Sequence, residues 1–261
     1  MAVDAHIHLD SYPPDRREQL LNRAFASGVE GLVAVSMGFR SFAVVREWAA
    51  RFPGRILPAY GHHPEQPPLA EEELARMRDW IGQLGDGAFA IGEVGLPYYL
   101  RTEAETSGRS FDEAPYIVQL EAFVRLAAEL DRPIALHAVY EDADKALELL
   151  ERHRVRRAHF HWFKGGPETI NRIVARRYMI SIAPDVLYEP EIRELAARVP
   201  LAQLMTETDG PWPFEGPFAG KETVPEMVLD VVREIASLRG SDEAETAAVL
   251  RANARRFYGI G

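Results

Sequence analysis

The chain opens Met1-Ala2-Val3-Asp4-Ala5-His6-Ile7-His8-Leu9-Asp10. Its apolar, β-branched run Val3–Leu9 predicts a first strand. Side chains alternate along a strand, so Asp4, His6 and His8 are expected on one face. An open doubly wound α/β sheet would carry a glycine-rich phosphate turn after its first strand. This strand carries two histidines instead, and a buried polar face suits the interior of a closed barrel.

The pattern repeats outward from there. Seven further strand-like runs follow: Gly31–Met37, Ile56–Gly61, Phe89–Val94, Pro133–Ala138, Ala158–Phe163, Tyr178–Ala183 and Ala202–Thr208. Between them lie helix-like segments at Arg16–Ser27, Phe42–Phe52, Glu71–Leu84, Tyr116–Leu130, Asp142–His153, Pro167–Arg177, Pro190–Arg198 and Val224–Leu238. In the fifth, Leu120, Phe123, Val124 and Ala127 recur at helical spacing. A ninth helix, Glu243–Phe257, closes the chain. Eight strand–helix units in 261 residues predict an α/β fold, a (β/α)8 TIM barrel, with residues 1–261 forming a single domain. Leu96–Ala114, including Thr-Glu-Ala-Glu-Thr-Ser-Gly-Arg-Ser, reads as a long irregular loop covering the mouth.

Composition narrows the chemistry. There are no cysteines, so a metal ion would be held by histidines and carboxylates. The net charge of −10 argues against broad, sequence-independent DNA binding through lysine and arginine. Neither a long apolar run nor a basic, apolar leader is present, which predicts a cytoplasmic protein with no membrane segment. No obligate protein partner is evident from the sequence.

Candidate ligands fall at the C-terminal ends of predicted strands, where barrels place catalytic groups. A lone buried histidine is ordinarily a satisfied core residue, but His6 and His8 together point to a metal. Glu93 lies within an apolar strand, where an isolated carboxylate is very costly unless paired or ligating. His137 ends the fifth strand, and the sixth carries His159 and His161. His161 is nearer the strand end and is the expected ligand, with His159 structural. Asp209 follows the eighth strand, after Glu207 and Thr208; a turn residue before Gly210-Pro211 is its other reading. Four histidines and two carboxylates suit two divalent ions (Zn, Mn, Mg, Ni or Co), with Glu93 bridging them at about 3.5–4 Å. Asp209 is expected both to ligate and to act as general base, so Asp209 and Glu93 are the catalytic candidates.

These motifs together resemble the TatD-type metal-dependent hydrolases, a family of deoxyribonucleases within the amidohydrolase superfamily. The resemblance spans the chain: DAHIHLD (4–10), GHHP (61–64), GEVGLPYY (92–99), PIALHA (133–138), HFHWFKG (159–165), ETDGPW (207–212) and NARRFYG (253–259). It implies that His6, His8, Glu93, His137, His161 and Asp209 occupy metal-ligand positions, and that His63 lies beside the substrate. Three stretches depart from the family. Pro97 replaces the usual acidic residue after GEVGL, and HWFKGG replaces the common HCFSGS, introducing Lys164. GKETVPE (220–226) replaces a basic, RNEP-like stretch that binds nucleic-acid phosphate; it keeps Lys221 but lacks the Arg–Asn pair. Lys164 is placed either to meet a substrate anion or to sit on the surface.

The lead reading is two-metal hydrolysis of a phosphodiester at nucleic-acid ends, with His63, Lys164 and Lys221 contacting the substrate. Its rival is hydrolysis of a small ester, lactone or amide, toward which the net charge and the missing basic stretch lean. A non-catalytic metal-binding scaffold is the third. A basic, open rim would mark the nuclease, and a closed pocket lined by Tyr98, Tyr99, Trp162 and Trp212 the small-molecule enzyme.

Overall fold

The structure, a computed structural model, describes residues 1–260; Gly261, the last residue of the expected domain, lies outside the described residues. Strands β1 (Ala2–Ile7), β2 (Val29–Ala34), β3 (Ile56–Tyr60), β4 (Ala90–Gly95), β5 (Ile134–His137), β6 (Ala158–Phe160), β7 (Met179–Ile182) and β8 (Leu204–Thr206) pair in parallel in chain order. β8 closes on β1 through Asp4 opposite Thr206, completing the (β/α)8 barrel. The surrounding helices are α1 (Arg17–Ala26), α2 (Phe39–Arg51), α3 (Glu71–Gly82), α4 (Tyr98–Thr106), α5 (Ala114–Leu130), α6 (Glu141–Arg152), α7 (Pro167–Ala175), α8 (Pro190–Arg198), α9 (Val228–Arg239) and α10 (Glu243–Tyr258). No helix of the described residues is long and apolar enough to cross a membrane.

Two apolar layers hold the barrel. Between strands and helices, residues such as Ile7, Leu32, Ile91, Phe123 and Phe160 are fully buried. The stripe expected in α5 is the buried face of that helix. Inside the barrel, Val3, Ala5, Val33, Leu57, Ala90, Met179 and Met205 pack against Phe257, Tyr258 and Ile260, so the end of α10 stoppers the bottom. Asp242 caps α10 by accepting from the Glu245 amide at 2.9 Å.

Two expectations need correction. Leu96–Ala114 is not an irregular loop, because Tyr98–Thr106 folds as α4. Its first turn is supplied with acceptors by Glu65 of another loop, which accepts from the Tyr99 and Leu100 amides. Asp4 does not share the function of His6 and His8. The β1–β2 register shifts between Asp4 and Ile7, breaking simple alternation. Val3 and Ala5 belong to the inner layer, while Ile7 and Leu9 belong to the outer one. Asp4 turns to the segment after β8 and accepts from the Thr208 hydroxyl at 2.6 Å and the Thr208 amide at 3.0 Å. Burial pushes its carboxyl up to about 7 despite those bonds.

Candidate metal centre

The predicted donors gather at the C-terminal end of the barrel. His6 lies in β1 and Glu93 in β4, while His137 ends β5. His8, His161 and Asp209 lie one to three residues beyond β1, β6 and β8. The backbone fixes those outlying three. Asp209 donates its amide to the His6 carbonyl at 2.9 Å, His8 to Gly210 at 2.8 Å, and His161 to Leu136 at 3.2 Å. Close approach of strands does the rest: a β-carbon at Gly61 or Gly95 would collide with the Glu93 or His137 carbonyl. Tyr140, Trp162 and Asp209, on the loops after β5, β6 and β8, all adopt positive φ. Such conformations cost energy and persist where the surroundings over-determine them.

Glu93 is the hub and is fully buried. Its Oε2 lies 3.1 Å from both His6 Nε2 and His8 Nε2. Its Oε1 lies 2.7 Å from His161 Nε2, 3.1 Å from His137 Nδ1 and 3.4 Å from His63 Nε2. Asp209 Oδ1 stands 3.4 Å from His6 Nε2 and from His8 Nε2. The two oxygens of one carboxylate therefore serve two separate donor groups.

The electrostatics are those of anions crowded by imidazoles. Burial alone would raise the Glu93 carboxyl, but His63, His161, His6 and His137 hold it well below its ordinary range. Asp209 is likewise held down by His8, His161 and His6 against burial. His137, buried but flanked by Glu65 and Glu93, is raised to about 9, and His8 is also raised. His6 is lowered to about 4 by burial and by the neighbouring His161. His63 is lowered to about 3, chiefly by burial.

The donor set fits metal ions. Asp209 Oδ1 is buried without a hydrogen-bond partner, a costly arrangement for a carboxylate unless a cation meets it. Donors about 2.0–2.2 Å from a tetrahedral Zn ion sit about 3.3 Å apart, close to the separations seen around each Glu93 oxygen. Two trios that meet the geometry of an ion, His6–His8–Glu93 and His63–Glu93–His137, share Glu93. A third, His6–His161–Glu207, is less apt, because Glu207 is already engaged. It accepts from the Ser181 hydroxyl at 2.6 Å and the Trp162 amide at 2.5 Å, and stands 3.8 Å behind His161 Nδ1. His159 is tied to Tyr258 and Ser181 at 2.6 and 2.5 Å and points away from the Glu93 cluster.

The sequence profile of the TatD related DNase family matches residues 3–259. The chain belongs to that family. A metal-dependent hydrolase of Haemophilus influenzae is 34% identical over 258 residues, covering 99% of each chain. The human deoxyribonuclease TATDN3 is 26% identical over 264 residues, covering 98% of this chain and 94% of its own. Among solved structures, the TatD homologue YjjV of Escherichia coli superposes with a TM-score of 0.82 at 26% identity, covering 100% and 98% of the two chains.

This TatD-family metal-dependent hydrolase surrounds its centre with aromatic rings. Tyr99 lies 5.9 Å from the His137 ring, Tyr98 lies 4.9 Å from the tilted ring of Tyr140, and Trp162 meets Trp212 and Phe214. Lys164 Nζ lies 5.4 Å from the Trp162 ring. Lys221 is exposed and donates to the Pro217 carbonyl rather than to any group of the Glu93 cluster. Glu65 escaped sequence reading. Its one signal was an acidic residue directly after His62-His63-Pro64.

Proposed function

We propose that this TatD-family enzyme hydrolyses phosphodiesters at nucleic-acid ends with two divalent ions, the whole chain acting as one barrel domain. One observation carries the two-ion reading: the Glu93 carboxylate divides its oxygens between His6 and His8 on one side and His137 and His161 on the other. Asp209 completes the first group. Divalent ions held by these residues would lower the pKa of a water and neutralise the charge of a phosphoryl group. Asp209, held ionised by its histidines, would accept the proton of the attacking water. His63, beside Glu93 Oε1, orients the phosphate, and Lys164 and Lys221 meet its outer charge. The exposed faces of Tyr99 and Trp212 offer stacking platforms for bases.

A second reading, hydrolysis of a small ester or lactone, is favoured by one feature of the rim. Arg101 is occupied by Glu105, Glu113, Glu141 and Asp142 and has no charge free for a phosphate chain.

Metal content and turnover measured on the same purified protein test both. The panel is single-stranded and 3′-recessed DNA, a bis-nitrophenyl phosphodiester, and simple esters and lactones. Two metal equivalents with phosphodiester cleavage falling about 10²–10⁴-fold in Asp209→Asn support the proposal. Turnover of esters or lactones alone moves the assignment to the second reading. Protein that takes up no Zn, Mn, Mg, Ni or Co sinks the ligand assignment.

A further inference from the structure

Glu65 joins the loop after β3 to the first turn of α4. It sits on the loop after β3, directly behind His63-Pro64. Its Oε1 accepts from the Tyr99 amide at 2.9 Å and its Oε2 from the Leu100 amide at 2.8 Å, so the carboxylate caps the first turn of α4. A carboxylate is well placed there, since the first-turn amides lack helical partners and the helix dipole is positive at that end. The same Oε1 lies 3.4 Å from His137 Nε2. That nitrogen is the one His137 turns away from Glu93, and no hydrogen bond satisfies it. The cap thus reaches the back of a candidate ligand.

We infer that Glu65 is a positioning residue that couples the seating of α4, and with it Tyr99, to the orientation of His137 in the metal centre. The inference rests on the proposed metal-ligand role of His137. Ligating histidines are ordinarily held by a carboxylate or carbonyl on their other ring nitrogen, which fixes ring orientation and tautomer. Glu65 is the carboxylate in that position, and a modest turn of the imidazole closes 3.4 Å to a hydrogen bond. What sets it apart from an ordinary supporting carboxylate is the bond to α4. Tyr98 and Tyr99 ride on that turn, and the Tyr99 ring packs edge-on against His137. A helix displaced by substrate therefore pulls on the carboxylate that steadies His137. Conversely, fixing His137 in a metal site fixes the cap. Arg101 anchors the middle of α4 to Glu141 and Asp142, so the hinge of any such movement is the first turn that Glu65 holds.

The test uses Glu65→Gln, which is isosteric and keeps one acceptor for the helix amides but loses the charge facing His137. Co2+ serves as probe, titrated into metal-free protein and read by its visible ligand-field spectrum. Wild-type protein is expected to take two equivalents. In Glu65→Gln one equivalent should bind as before and the other about 10–100-fold more weakly, with an altered spectrum. Unchanged affinities and spectrum with only a lowered Tm would reduce Glu65 to a helix cap and overturn the inference. Wild-type protein that binds no Co2+ would instead sink the metal assignment, so the two failures are distinct. Hydrogen exchange in the unaltered protein provides an arm that needs no variant. Amides of Tyr99 and Leu100 should exchange several-fold more slowly with Zn2+ bound than without, and equal rates would overturn the coupling.

Discussion

Asp185 shows how the barrel mouth handles a carboxyl it does not spend on the metal donors. It follows β7, is almost fully buried, and accepts from Trp162 Nε1 through Oδ2 while Oδ1 has no partner. Burial pushes it up to about 6, against the lowering influence of Trp162 and Lys164. In the unfolded chain the same group titrates near 3.8. The folded state therefore holds the proton more tightly between those values, and proton binding on folding makes stability fall as pH rises. That contribution is fully present below 3.8 and lost as pH passes through about 6. Asp185→Asn keeps an oxygen for Trp162 and removes the titration. Compared with the wild type, the variant should gain about 2–3 kcal/mol in relative stability between pH 4 and pH 7, a shift of roughly two pK units. Denaturant melts of both proteins across that range measure it. Parallel curves would mean that water reaches Oδ1 and that the burial argument fails.

At the scale of elements, position depends on how closely strands approach. Gly95 stands opposite His137 in the β4–β5 ladder, with the Leu96 amide bonded to the His137 carbonyl at 3.0 Å. A side chain there would strike that carbonyl. Gly95→Ala should cost about 1–3 kcal/mol of stability, as for other overpacked sites. It should also loosen the proposed ion on the His137 side while sparing the one proposed beside His6 and His8. Thermal melts and metal stoichiometry check the two effects together, and a variant that retains both ions at native affinity would show that β5 can shift freely. The same closeness explains what was legible in the sequence. All eight strands announced themselves because buried parallel strands read as continuous apolar runs. The convergence of His6, His8, Glu93, His137, His161 and Asp209 was legible too, because each is a polar residue at the end of such a run. Asp4 was misread because alternation presumes an unbroken strand, and a register shift is set by the partner strand rather than by local sequence. Helix α4 was missed because its cap comes from Glu65, more than thirty residues upstream, and the segment's own polar composition resembles a loop. Glu65 was invisible for the same reason: its role exists only once β3 and α4 are brought together.

For the whole molecule, charge limits how a nucleic acid can be held. The net charge is −10, and two basic side chains near the mouth are already engaged: Arg16 with Glu222, and Arg101 with Glu105, Glu113, Glu141 and Asp142. Lys164 and Lys221 are the cations proposed for substrate. Binding that neutralises only two phosphates should be weakly salt dependent. For a single strand the slope of log K against log salt is about −0.7 per phosphate, so about −1.4 here, or roughly a seven-fold loss between 50 and 200 mM. Anisotropy of a labelled oligonucleotide on the Asp209→Asn variant measures this without turnover. A slope near −1 to −2 would fit an enzyme that grips a strand end through its metal centre, with stacking on Tyr99 and Trp212 supplying salt-insensitive affinity. A slope of −5 or steeper would reveal a basic track along the surface that the net charge of −10 argues against. No measurable binding at 50 mM salt, alongside turnover of esters, would favour the small-molecule reading, in which the same aromatic rings close around a substrate rather than stack on bases.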